Sequence, residues 1–299
     1  MNKILVVGSL NMDQVTKVDV TPKVGETISG QGLELIPGGK GANQAVAMGK
    51  LGATVEMIGV LGDDANGDIL RDNLEKMNVV NNHIKVVEGI PTGVALIMVN
   101  ASGDNSIVVI PGANGELLPE DVKLEWFDGV SLVVCQLETP VGTVETVLKT
   151  AKKLGVKTVL NPAPARELSN ELLSAVDLLV PNETEFEKLT GVAIETKDDL
   201  IRGYAELNKL GIKELIVTLG AQGAWYYNGD EFLTVAGKKV EAVDTTAAGD
   251  SFIAGVCESL ARGCTMTEAL ETGTKVAAIT VTRFGAQSSL PSREEVMSL

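Results

Sequence analysis

Residues 244–252, D-T-T-A-A-G-D-S-F, combine an anion-friendly backbone with a carboxylate beside it. Ala247, Ala248 and Gly249 have almost no side chain, so a ligand can come close to the main chain there. The stretch from Ser251 to Arg262 reads as a helix, with Phe252, Ile253, Val256 and Leu260 near helical spacing and Gly263 as its stop. Unpaired N–H groups at a helix start favour an anion, as the helix dipole does. Asp250 would then stand as a base next to an anion cradle, the pair of features that phosphoryl transfer to a hydroxyl needs. The competing reading is a small-residue turn in which Asp250 only stabilises the helix start.

Four further clusters could carry chemistry. Gly8-Ser9-Leu10-Asn11-Met12-Asp13 follows an apolar strand, where ligands of open α/β sheets bind, and Asn11 with Asp13 could fix a polyol; a polar turn is the alternative. Pro37-Gly38-Gly39-Lys40-Gly41-Ala42-Asn43-Gln44 is not a Walker A loop, because Gly41 stands where Ser or Thr is required and Glu34 where the first glycine belongs. Its diglycine still permits close approach, with Lys40 and Asn43 on the first turn of the next helix. In Pro181-Asn182-Glu183-Thr184-Glu185, Asn182 and Glu185 lie three apart and could share a hydrated magnesium ion near phosphates, or simply cap a helix. Thr218-Leu219-Gly220-Ala221-Gln222-Gly223 is another strand-to-glycine turn that could sit against a nucleotide. Each alone fits an ordinary turn, but their repeated placement after strands favours one ligand-binding edge.

The elements that must position these residues alternate between short apolar runs and helical stripes, the pattern of a mainly parallel sheet covered by helices. Strands are expected at residues 3–8, 54–60, 131–137, 157–160, 177–180 and 214–218. Helices are expected at 41–51, 65–77, 141–154, 198–210, 251–262 and 266–282, the last either continuous or broken near Gly273. Gly52, Gly155, Gly211 and Gly263 follow helical stretches as C-terminal caps do. Residues 15–36 lack a helical stripe, and 92–110 read as a hairpin, 94–99 and 106–110 flanking a turn at Ser102-Gly103-Asp104. Together these two stretches are either a flap over a cleft or an extension of the main sheet. With no repeats or long linkers, one domain with an insertion is expected over two independent ones.

Composition narrows the class. A net charge of −15 argues against nonspecific nucleic-acid or anionic-membrane binding, so a nucleotide would need local donors and a divalent cation. The three cysteines, Cys135, Cys257 and Cys264, are too scattered for a disulfide framework or a zinc site and suit a reducing cytoplasm. The apolar segment Ile4 to Val7, ended by Gly8, is too short to be read as a signal peptide, and no apolar run has membrane-spanning length. His83, the only histidine, lies in a polar stretch, which makes a Ser-His-Asp hydrolase a poor fit.

Taken together, these motifs resemble the ribokinase-like (PfkB) carbohydrate kinases across nearly the whole chain. Q-L-E-T-P, N-P-A-P-A and G-A-Q-S-S-L-P join the clusters above in the family's order and spacing. The resemblance implies a three-layer α/β/α sandwich with a mainly parallel central sheet, and one domain over residues 1–299. Insertions at 14–37 and 91–112 would form a small β-sheet lid that also joins a homodimer. It implies transfer of the γ-phosphoryl of ATP to the 5-hydroxyl of D-ribose, with Asp250 as base and Ala247, Ala248 and Gly249 as the anion hole. Asn11, Asp13, Gly39, Lys40, Asn43 and Glu138 would hold the sugar. Asn182, Glu185, Thr218, Gly220, Gly223, Gly249 and Thr274 would serve the nucleotide and Mg2+. Asp244, Thr246, Thr280, Arg283, Gly285 and Ser289 would surround K+, the alternative being a surface loop at 280–289. Ala247 stands where many relatives have glycine. Other acceptors of the same family (2-deoxyribose, a nucleoside, fructose) and a catalytically silent binding protein are the alternatives.

Overall fold

The computed structural model describes residues 2–102 and 105–299. Its central sheet has nine strands, in the order Phe232–Ala236, Gly223–Tyr227, Glu214–Thr218, Leu178–Leu179, Lys157–Leu160, Val130–Cys135, Lys3–Val7, Val55–Ile58 and Val79–Val80. Pairing is parallel from Glu214–Thr218 to Val79–Val80, and antiparallel only through the terminal hairpin. Period-two alternation sends Ile4 and Val6 into one core and Leu5 and Val7 into the other. On the first face pack helices Lys40–Lys50, Ala65–Lys76, Ala248–Ala261 and Met266–Thr280. Val141–Lys153, Glu183–Thr190 and Lys197–Lys209 pack on the second. Strands buried on both faces explain the unbroken apolar runs of the sequence. No helix among the described residues is long and apolar enough to cross a membrane.

Three expectations need correction. The strand expected at 54–60 is two strands, Val55–Ile58 in the central sheet and Val60–Gly62 paired with Lys85–Val87 in a separate one. The helix expected from Ser251 begins at Ala248, after Ala247 in a left-handed conformation (φ 59°). Met266–Thr280 is continuous through Gly273. There the missing side chain serves packing: a Cβ on Gly255 would lie 2.8 Å from the Gly273 Cα, so the two helices touch main chain to main chain. The edge hairpin Gly223–Tyr227 and Phe232–Ala236 was not anticipated, since only its entry turn stood out in the sequence.

The two non-helical stretches build a separate four-stranded sheet, Glu34–Gly38, Asn11–Lys17, Gly93–Val99 and Asn105–Ile110, and do not extend the central one. Of the expected hairpin turn, Gly103 and Asp104 lie outside the described residues. Register gives this small sheet two distinct faces. Asp13, Ile36, Ile97 and Ile107 face a cavity of about 270 Å³ against residues 242–246 and 284–286. The opposite face presents Leu35, Leu96 and Val108, exposed and aligned across the strands through Gln14.

Candidate active site

The sheet's carboxyl edge and the amino end of Ala248–Ala261 meet at Asp250. Asp250 is only 7% exposed, and both of its carboxylate oxygens are held. Oδ2 accepts the Asn43 amide at 3.1 Å and Oδ1 the Gln44 amide at 3.0 Å. Just before it, the Ala248 N–H bonds the Thr245 carbonyl, whereas those of Gly249 and Asp250 have no acceptor among the described residues. A Cβ on Gly249 would meet nothing within 4 Å, so the approach to these donors is open. A buried base and an unfilled donor pair thus share one helical turn.

Asn11, Asp13, Gly39, Lys40, Asn43 and Glu138 gather around it from three segments. Gly39 caps Lys40–Lys50 at φ 88°, a conformation that favours glycine, and its carbonyl accepts the Asn43 N–H at 2.8 Å. That turn puts Lys40 beside the carboxylates: Asp250, foremost, then Glu138, Glu185 and Asp13 raise the Lys40 pKa against the effect of burial. Glu138 accepts the Ser9 hydroxyl at 2.6 Å and the Lys40 N–H at 3.0 Å, tying the ends of two strands to the helix start. Asn11 Oδ1 accepts the Asn114 amide at 2.8 Å, and Asn114 is itself locked to both main-chain groups of Leu10. Burial, with Glu138 and Asp250 as like-charged neighbours and only Lys40 opposing, pushes the Asp13 carboxyl up to about 7.

On the other side of the helix start lies a cavity of about 620 Å³. Thr218, Gly220, Gly223, Gly249 and Thr274, five of the residues expected to serve the nucleotide, all line it. Phe252, Ala277, Ala278 and Val281 complete a largely apolar wall. Ala242 and Thr245 line both this cavity and the one under the small sheet. Asn182 and Glu185 stand off from it and form a reciprocal capping box at the start of Glu183–Thr190, with bonds of 2.8 and 3.0 Å. Glu185 spends one oxygen on that cap and keeps the other; desolvation raises its pKa.

The residues expected around a monovalent cation are brought together as two converging loops. Asp244 accepts from the Thr246 N–H and hydroxyl through Oδ1 and from the Gly285 N–H through Oδ2. The Ser289 hydroxyl donates to the Ala286 carbonyl, the Thr280 carbonyl accepts the Arg283 N–H, and the Arg283 side chain pairs with Glu295. The groups gathered here are hard oxygens of carboxylate, hydroxyl and carbonyl type, a set that suits an alkali cation, and in this structure they bond to one another or to the main chain. Among the described residues no cluster of His, Cys, Asp and Glu has the makeup of a transition-metal site.

Sequence reasoning gave no role to Ser9, Gln44, Asn73, Asn114, Gln136, Asn161 or Gln287, all of which bond within the site. Gln287 donates to Asn43 Oδ1 at 3.2 Å and accepts from Asn73 at 2.6 Å. Gln44, Gln136, Asn161 and Gln287 sit inside the very motifs that stood out, which was the available signal.

Comparison with known proteins gives the family and the fold. The profile of the pfkB family of carbohydrate kinases matches residues 1–293. The chain is similar to the ribokinase of Haemophilus influenzae, 42% identical over 294 residues that cover 98% of this chain and 96% of that protein. It is also similar to the deoxyribokinase of Salmonella typhi, at 39% over 295 residues covering 98% and 96%. The Arabidopsis thaliana ribokinase solved with ribose and ATP has the same fold, with a TM-score of 0.94 at 34% identity over 99% of this chain and 98% of that one.

Proposed function

The chain belongs to the pfkB family of carbohydrate kinases, and on that premise we propose that it transfers the γ-phosphoryl group of ATP to the 5-hydroxyl of D-ribose, giving D-ribose 5-phosphate. The observation that carries this reading is the position of Asp250, a buried carboxylate beside open N–H groups at a helix start bordering a nucleotide-sized cavity. Asp250 takes the proton of the attacking hydroxyl, a role that contributes about 10²–10⁴ in rate. Of the anion hole Ala247–Ala248–Gly249, the Gly249 N–H is open to the charge that spreads over the transferred group without reorganisation, whereas the Ala248 N–H would first have to leave the Thr245 carbonyl. Asn11, Asp13, Gly39, Lys40, Asn43 and Glu138 hold the sugar hydroxyls, while Thr218, Gly220, Gly223 and Thr274 shape the nucleotide side.

Mg2+, when bound, neutralises phosphate charge, and the uncommitted Glu185 oxygen with Asn182 nearby suits an ion that keeps most of its water. K+, when bound between the Asp244–Thr246 and 280–289 loops through Thr280, Arg283, Gly285 and Ser289, stiffens the turn that carries the anion hole. The small sheet acts as a lid over the sugar, its inner face turned to the cavity that Asp13 lines. A second copy covers the outward row of Leu35, Leu96 and Val108, since a four-stranded sheet with an exposed apolar face gains stability when covered. Three unpaired thiols suit a reducing cytoplasm.

The deciding experiment is a coupled kinase assay over D-ribose, 2-deoxyribose, fructose and adenosine, in potassium, sodium or tetramethylammonium at one ionic strength. D-ribose gives the highest kcat/KM. A site built to bond a hydroxyl penalises the analogue lacking it by up to about 10⁴-fold. Turnover of 2-deoxyribose at or above that of ribose would transfer the assignment to the deoxy sugar. Equal rates in all three cations would remove K+ alone, and a fully active monomer at micromolar concentration would remove the dimer alone.

A further inference from the structure

Two buried amide chains end on Asp250, one at each oxygen. Asn43, at Oδ2, is already assigned to the sugar. Gln44, at Oδ1, is fully buried within Lys40–Lys50, and every polar group of its side chain is used. Its amide donates to Asp250 Oδ1 at 3.0 Å and to Asn161 Oδ1 at 3.3 Å, and its oxygen accepts from Gln136 Nε2 at 2.6 Å. Gln136 and Asn161 stand one residue beyond the paired ends of adjacent strands, Val130–Cys135 and Lys157–Leu160.

The direction of this chain is forced from its far end. Asn161 donates its amide to the Val180 carbonyl at 3.1 Å, and a carbonyl can only accept. Asn161 must therefore present its oxygen to Gln44, and Gln44 must present its amide to Asn161 and to Asp250. Turning the Gln44 amide over would set oxygen against oxygen at both places and nitrogen against the Gln136 amide. Fixing Oδ1 fixes the side-chain torsion of Asp250, and with it the aim of Oδ2.

We propose that Gln44, oriented by Gln136 and Asn161, is a positioning residue that sets the aim of Asp250 at the acceptor hydroxyl. The inference rests on the reading of Asp250 as the base. Neither glutamine is assigned to the sugar or the nucleotide, so loss of either lowers kcat and leaves both KM values near wild type. A misaimed reacting group costs up to about 10²-fold.

The test compares Gln44→Met, Gln136→Met, their double variant and Asp250→Asn, with kcat and both KM values measured for each and folding checked by thermal melting. Gln44→Met lowers kcat about 10- to 50-fold with KM values within about threefold. Gln136→Met lowers kcat less, by about 3- to 10-fold, and adds nothing in the Gln44→Met background, because it acts only through the Gln44 amide. A Gln44→Met enzyme with kcat within twofold of wild type overturns the proposal, as do independent, multiplying effects of the two substitutions. Should Gln44→Met fail to fold, Gln136→Met decides: a kcat loss at constant KM supports the proposal and an unchanged kcat overturns it. Asp250→Asn separates the premise from the inference. An active Asp250→Asn enzyme sinks the base itself, whereas an inactive one beside a normal Gln44→Met enzyme sinks only the positioning chain.

Discussion

The two sides of the Ala248–Ala261 helix start solve different recognition problems. On the acceptor side, Asn43 and Gln44 are buried and bonded to Asp250 and Asn11 is buried and bonded to Asn114, so these polar groups have a fixed direction before a ligand arrives. On the donor side, the cavity is lined mostly by Ala, Gly, Val and Phe, and the polar contribution comes from Thr218, Thr245, Thr274, Lys238 and Lys239. A prearranged polar site discriminates by the cost of leaving its groups unpaired, and an apolar cavity discriminates by shape alone. Strict choice of sugar and looser choice of nucleotide base are what this asymmetry teaches one to expect.

The strongest way to break the contrast is Asp250→Asn, which preserves size while removing the proton acceptor. Its kcat falls by at least about 10²-fold while both KM values stay within about threefold. Steady-state kinetics check this, and a variant retaining more than about a tenth of wild-type kcat would show that the acceptor side does no base chemistry. A smaller effect is expected from Ala277→Phe on the donor side. Added bulk there raises the KM for ATP about tenfold, some 1.4 kcal/mol, with the sugar KM unchanged. An equal rise in both KM values would mean that the two sides are not separate.

A third effect falls on stability and leaves turnover aside. Asp13 has an ordinary pKa of 3.8 and sits near 7 in the fold, so between those values the native state holds a proton that the unfolded chain has released. Stability therefore falls as pH rises through that window, and above it the buried charge is fully present. Asp13→Asn removes the penalty. Its melting temperature in the absence of ligand equals that of wild type near pH 4 and exceeds it at pH 8, by roughly 1–3 kcal/mol of stability. A constant difference across pH would place the proton elsewhere. The same variant binds sugar more weakly, which sharpens the contrast between a site arranged for its ligand and one arranged for stability.

Much of this was legible in the sequence because it is local. Apolar runs, helical stripes and glycine stops gave most central strands and helices, since each depends on neighbours a few residues away. The site motifs were legible for the same reason, being turns at strand ends. What was not legible depends on partners far along the chain. Gln44 and Asp250 are 206 residues apart, and nothing near either says that a glutamine will orient a carboxylate. Gly273 read as a break because glycine is poor in helices, and only the presence of Gly255 opposite it explains why the helix continues. Of the small sheet, only the hairpin strands at 94–99 and 106–110 showed in the pattern; Asn11–Lys17 and Glu34–Gly38 did not, nor did the parallel pairing of Asn11–Lys17 with Gly93–Val99, which joins segments some eighty residues apart. Asn182 and Glu185 show the reverse case, where a motif read for metal also completes a helix cap.

The contact of Gly255 with Gly273 has a mechanical consequence. It welds Ala248–Ala261 to Met266–Thr280, and the second helix carries Thr274 on the donor wall and hands its end, through the Val281 carbonyl, to the N–H groups of Val243 and Asp244. Asp250, the Thr274 side of the cavity and the 243–244 turn thus ride on one brace, whose spacing at Gly255 and Gly273 is set by main-chain contact, with the Phe252, Val256 and Val276 side chains packed around it. At that contact the spacing has no room to shrink and widens only if a side chain is added. The opposite jaw, the small sheet with Asn11 and Asp13, is free of that constraint, so that evolution of a new acceptor in this scaffold should be sought there.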